Sequence, residues 1–190
     1  MVSYVVGSLN FAIIISRLFS LPDPRTVGSN NPGATNLNRY AGKWLASLCL
    51  ALDACKGLLA VSLVSILNNL DHVLELQITA AACCVLGHCF SIFHLFRGGK
   101  GVATSIGALF AISIIAGFMI ILLWLMGYFL FKKSYKAALF SFTLFPGMIT
   151  CYALIMKSSM PIEIFSSLLL MIFMYFTHFK NIFSSFNNNA

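Results

Sequence analysis

Apolar residues run through this chain in long blocks separated by short polar connectors. Leu45–Leu67, Val73–Phe93, Val102–Phe131, Ala137–Met156 and Ile162–Thr177 are such blocks, each near or above the roughly 20 residues a helix needs to cross hydrocarbon. A further apolar run, Val2–Phe19, opens the chain. No Lys or Arg precedes it and no small-residue cleavage site closes it, so it predicts a retained first helix rather than a signal peptide. The pattern predicts an all-α integral membrane protein.

The charges orient it. Arg17, Arg25, Arg39 and Lys43 flank the first polar loop, Arg97 and Lys100 occupy the second, Lys132, Lys133 and Lys136 form a third cluster, and Lys180 follows the last block. The connectors Asn68–His72 and Lys157–Pro161 are poorer in basic residues, with Asp71, Glu75 and Glu163 in or beside them. The positive-inside rule makes the basic loops cytoplasmic. Loops at 94–101 and 132–136 share a face only if the 30 residues of Val102–Phe131 cross twice, as two short helices breaking near Gly117. The expectation is therefore about seven transmembrane helices, some short, with the N-terminus outside and the C-terminus cytoplasmic. One long tilted helix there gives six instead.

Composition changes little in this picture. With 59% hydrophobic and 9% charged residues and a mean hydropathy of +0.91, the chain cannot cover itself with polar surface. One membrane domain over residues 1–190 is expected, with a disordered tail at Asn187–Ala190. A net charge of +7 matches basic loops facing an anionic leaflet, and no nucleic-acid module is present. The cysteines (Cys49, Cys55, Cys83, Cys84, Cys89, Cys151) form no C-x-x-C pair and read as reduced packing residues. His88 and His94 lack a third or fourth metal ligand, so neither a metal nor another cofactor is expected.

The loops carry the chemistry. The first, Pro22 to Arg39, is dense in small and polar residues. Gly28 and Gly33 permit unusual backbone angles, so that N–H groups can converge on an anion while Ser29, Thr35, Asn36 and Arg39 add donors. An ordinary turn is the competing account. In the second loop Arg97 and Lys100 stand among Gly98, Gly99 and Gly101 at the start of the next helix, whose N-terminus favours phosphate. It is not a Walker A loop, and lipid-headgroup contact is the alternative. His178 and Asn181 stand three apart where the last block ends and would share a helix face. Asp53 and Lys56, also three apart within the membrane, allow mutual neutralisation and read as a structural pair anchoring the adjacent loop.

Gly28-Ser29-x-Asn31-x-Gly33-Ala34-Thr35-Asn36 with Arg39, then Gly87-His88 leading to Gly98-Gly99-Lys100-Gly101-Val102-Ala103-Thr104, then His178-x-x-Asn181-Ile182, resemble the three motifs of the acyl-phosphate:glycerol-3-phosphate acyltransferase family. Leu52-Asp53-x-x-Lys56-Gly57 is similar to its pattern too. The resemblance implies a multi-pass enzyme of the bacterial inner membrane that acylates glycerol 3-phosphate from a fatty acyl phosphate. Lysophosphatidic acid and phosphate would be its products in phospholipid biosynthesis, and an upstream enzyme would supply the acyl phosphate. It places Ser29, Arg39, Lys100, His178 and Asn181 in catalysis and phosphate binding. The family usually carries Pro at Ser91 and Lys at Arg97, its third motif normally continues into an Arg-containing stretch, and Ala137 stands where a family serine is expected. A small membrane anion transporter and an inactive relative are the alternatives.

Overall fold

A computed structural model describes residues 1–67 and 73–187. The Asn68–His72 connector and the tail beyond Asn187 lie outside the described residues. All regular structure described is helical: α1 (Val2–Ser8), α2 (Phe11–Leu18), α3 (Ala34–Leu67), α4 (Val73–Cys89), α5 (Val102–Ile112), α6 (Ile114–Phe131), α7 (Ser134–Ile155) and α8 (Pro161–Asn187), with a 3-10 turn at Ile92–His94. Five of these, α3, α4, α6, α7 and α8, are long and apolar enough to cross a membrane.

The opening apolar run is two short helices rather than the one expected. Leu9 and Asn10 are extended, and the Asn10 side chain accepts from the Ile13 N–H at 3.1 Å. An Asn that caps offers the backbone an alternative to a continuous helix. The break in Val102–Phe131 falls at Ser113 (φ −154°, ψ 122°), not near Gly117, which is buried inside α6. Glycine within a membrane helix serves close packing, whereas a serine side chain competes with the helical ladder. Helix α3 begins eleven residues before the apolar block at Leu45 and turns a corner at Gly42 (φ 86°). Its first piece carries Ala34, Leu37, Tyr40 and Ala41 at helical spacing, and these pack with Ala12, Ile15 and Cys49 in one core cluster.

The chain divides into two units, residues 1–114 and residues 115 onward. In the first, α3 packs against α5, α4 and α2, and α1 packs against α4. Small residues bring these helices close: a Cβ on Gly57 would overlap the Thr104 carbonyl of α5, and one on Gly87 would overlap the Tyr4 carbonyl of α1. Tyr4 Oη and Ser91 Oγ donate to the carbonyls of Phe90 and Ser8, both at 2.6 Å, tying α1 to the loop after α4. In the second unit α7 packs against α8, and Phe131 meets Phe140 edge to face at 5.8 Å. The six cysteines are free; Cys49, Cys84 and Cys89 are buried, whereas Cys55 and Cys151 are exposed.

Candidate active site

The first loop is a folded object held by Asn36. Its buried side chain accepts from the Ser29 N–H at 2.9 Å and donates to the carbonyls of Pro24 and Val27 at 2.9 and 3.0 Å. Asn36 thereby shapes the cradle, and direct contact with an anion would cost it one of these bonds. Gly28 is left-handed (φ 61°), and a Cβ there would overlap Asn36 Oδ1 and lie 3.7 Å from Arg39 Cδ. Gly33 does not share that conformation; the second left-handed residue of the loop is Asn30 (φ 54°). The Gly33 carbonyl instead accepts from the N–H groups of Asn36 and Leu37, both at 3.0 Å, and so starts α3. Ser29, Thr35 and Arg39 are exposed along this start.

Asp23, the sole carboxylate in the Pro22–Arg39 sequence, is bound by Arg25, with Nη2 2.6 Å and Nε 3.0 Å from its oxygens. The hydrogen-bonded guanidinium holds the Asp23 carboxyl below its ordinary pKa and raises that of Arg25. The remaining loop cations therefore have no second acid in this segment to neutralise them.

The second loop doubles back on the end of α4. Leu95 and Phe96 are both left-handed (φ 53° and 58°), reversing the chain. The Gly98 and Gly99 N–H groups then donate to the carbonyls of Cys89 and His88, each at 3.0 Å, satisfying the helix end. A Cβ on Gly99 would overlap the His88 ring and lie 3.0 Å from the Pro32 carbonyl, so this glycine is where the two loops touch. Arg97 is exposed and Lys100 half-buried, immediately before Gly101, which caps α5 with φ 84°. Burial first, and then the charge of Arg39, pull the Lys100 pKa down to about 8. That coupling joins the two loops electrostatically: Arg39 and Lys100 repel, and a bound dianion would relieve both.

His178 and Asn181 lie one turn apart on α8, in the second unit, because the helix runs ten residues past the apolar block ending at Thr177. His178 is buried, with Nδ1 2.9 Å from the Met174 carbonyl. A carbonyl only accepts, so Nδ1 carries a hydrogen. Ser141 of α7 is buried and donates to the Ala138 carbonyl at 2.9 Å, and Ala137 is fully buried.

One positioning group carried a signal that motif reading passes over. Asn10 is a lone amide inside an apolar run; it is fully buried and donates to the Pro32 carbonyl of the first loop at 3.2 Å. His88, which opens the second motif, lies 2.8 Å from Lys56 Nζ and 3.4 Å from Asp53 Oδ1.

Apolar helices of spanning length, with glycine loops that gather positive charge at their ends, define a multi-pass membrane protein. The chain belongs to the glycerol-3-phosphate acyltransferase family, whose model matches residues 1–188. It is similar to a glycerol-3-phosphate acyltransferase of Pseudomonas putida (strain W619), 47% identical over 139 residues, 73% of this chain and 72% of that protein. One of Neisseria gonorrhoeae (strain NCCP11945) is 46% identical over 146 residues, 76% and 73% of the two chains. Among solved structures, PlsY, an integral membrane glycerol 3-phosphate acyltransferase, superposes in its glycerol 3-phosphate form with a TM-score of 0.84 at 26% identity. That match covers 98% of this chain and 89% of the other. The lysophosphatidic acid form matches with a TM-score of 0.82 at 25% identity and the same coverage.

Proposed function

We propose that this protein transfers a fatty acyl group from an acyl phosphate to glycerol 3-phosphate, releasing lysophosphatidic acid and inorganic phosphate. The observation that carries the reading is the pairing of Arg39 and Lys100 across two loops that meet at Gly99 and Pro32. Such a pair suits a phosphate dianion more than any neutral ligand.

An acyl phosphate is a mixed anhydride and already activated, so the chain has chiefly to bring the two reactants together and absorb charge. A hydroxyl oxygen of glycerol 3-phosphate attacks the carbonyl carbon, the bond from that carbon to the bridging oxygen breaks, and phosphate departs. Arg39 and Lys100 stabilise the phosphate charge, with Ser29, Thr35 and Arg97 as further donors, while Gly28, Gly33, Gly98 and Gly99 shape the loop backbones that carry these side chains to the substrate. The hydroxyl proton passes to a phosphate oxygen of the donor, while His178 Nε2 is the alternative base; Asn181 orients phosphate. The acyl tail lies among the helices in lipid.

The proposed topology counts α1–α2 as one broken span, α5 as one short span and the five long helices as the rest. The N-terminus is outside, and the loops and C-terminus face the cytoplasm of a bacterial inner membrane. An enzyme that activates fatty acids as acyl phosphates would supply the donor. The test is acylation of labelled glycerol 3-phosphate by purified protein given palmitoyl phosphate or palmitoyl-CoA, with released phosphate counted. Product and phosphate from palmitoyl phosphate alone support the reading. Product from palmitoyl-CoA refutes the donor, and folded protein silent with both favours a transporter or an inactive relative.

A further inference from the structure

A lysine buried among helices needs a reason, because an ammonium in an apolar setting is costly unless each of its hydrogens is received. Lys56 sits on α3 with its side chain 3% exposed, beside an Asp53 equally buried. The ammonium is met from three different elements: it donates to the Leu9 carbonyl at 2.5 Å, hydrogen-bonds His88 Nδ1 at 2.8 Å, and has Asp53 Oδ1 2.8 Å away as its counter-ion. Neutralising Asp53 needs only one of them.

The other two lead to the loops. Leu9 stands at the break between α1 and α2, where the Ile13 N–H that a continuous helix would pair with its carbonyl goes to Asn10 instead. Irregular backbone at membrane depth persists where a side chain satisfies it, and Lys56 supplies that donor. The next residue, Asn10, holds the Pro32 carbonyl of the first loop. On the other side the ammonium only donates, so His88 Nδ1 accepts and the neutral ring carries its hydrogen on Nε2. That nitrogen faces the point where Gly99 abuts the ring and the Pro32 carbonyl, while the His88 carbonyl receives the Gly99 N–H. One ammonium thus has a path to each side of the contact between the loops.

We propose that Lys56, acting through Leu9–Asn10 and through His88, is a positioning residue that sets the separation of the two loops and so of Arg39 and Lys100. This rests on the acyl-transfer reading above. A displacement of about 1 Å between such loops costs on the order of 100-fold in rate.

The test is hydrogen exchange by mass spectrometry on wild-type protein and on the double variant Asp53→Asn/Lys56→Met, which leaves no unpaired buried charge, alongside kinetics with palmitoyl phosphate. In the variant, exchange in the segment 96–101 should accelerate at least tenfold while α7 and α8 are unchanged, and kcat/KM should fall roughly 10- to 100-fold. Acceleration spread evenly over the whole chain, or none at 96–101, overturns the proposal, as do kinetics within threefold of wild type. Should the double variant not fold, His88→Leu keeps the ion pair and severs the link to Gly99. The same local acceleration is expected there, and its absence overturns the proposal. Wild-type protein that transfers no acyl group refutes the functional reading instead, and the exchange measurement still decides what Lys56 holds.

Discussion

Replacing Asn36 with alanine removes three hydrogen bonds from a fully enclosed amide: one accepted from Ser29 and two donated, to Pro24 and Val27. Each contributes about 1 kcal/mol net, so the ordered form of the first loop loses roughly 3 kcal/mol relative to open forms. If that form is the one that receives glycerol 3-phosphate, its population and the apparent affinity fall by up to about 100-fold. Leu37 and the packing of α3 on α2 are untouched, so the helices should stay in place. The assay is initial rate against glycerol 3-phosphate at saturating palmitoyl phosphate. The KM for glycerol 3-phosphate should rise at least tenfold, with the KM for palmitoyl phosphate changing far less. Asn36→Asp should be worse than alanine, because it loses both donors and adds a negative charge beside Arg39. A KM within threefold of wild type for both variants would refute the stitching role of Asn36.

Further outcomes follow from the same geometry. Lys100 loses its charge near pH 8, so kcat/KM for glycerol 3-phosphate should decline as pH rises through about 8, and Lys100→Arg should flatten that decline. Stability should move oppositely: between about pH 8 and the ordinary lysine value the unfolded chain binds the proton more tightly, so the folded form gains as pH rises. Lys100→Met should lower turnover at least 100-fold, as expected for loss of a preorganised charge. Gly99→Ala places a Cβ against the His88 ring and the Pro32 carbonyl; kcat/KM should fall about tenfold or more with helical circular dichroism preserved. For His178→Ala, proton transfer to substrate phosphate predicts a loss of turnover below about tenfold, and a fall of 100-fold or more would make His178 the base.

Much of the candidate site was legible because its residue types are conspicuous in so apolar a chain: Gly28, Ser29, Arg39, Gly98, Gly99 and Lys100 gather in two short polar loops of a sequence that is 59% hydrophobic and only 9% charged. The start of α3 at Ala34 was less visible, since a two-turn helix inside a polar loop announces itself only by the spacing of Ala34, Leu37 and Tyr40. The break at Leu9–Asn10 depends on one amide among apolar residues. The cysteines split between buried and exposed positions that hydropathy does not distinguish.

By itself the sequence determined the solvent, the helical class, the approximate position of each apolar helix and the three places where polar chemistry concentrates. Composition and local periodicity fix these, because each segment's need to bury apolar surface and satisfy its backbone is met largely within the segment. Tertiary structure decided the partnerships: that Asn36 holds Ser29, Pro24 and Val27, that Asn10 reaches Pro32, and that Lys56 bonds Leu9 and His88 while pairing with Asp53. Lys56 and Leu9, 47 residues apart in sequence, meet where α3 packs beside α1 and the break that follows it. A pairing of that kind is a property of packing geometry, which no local pattern encodes.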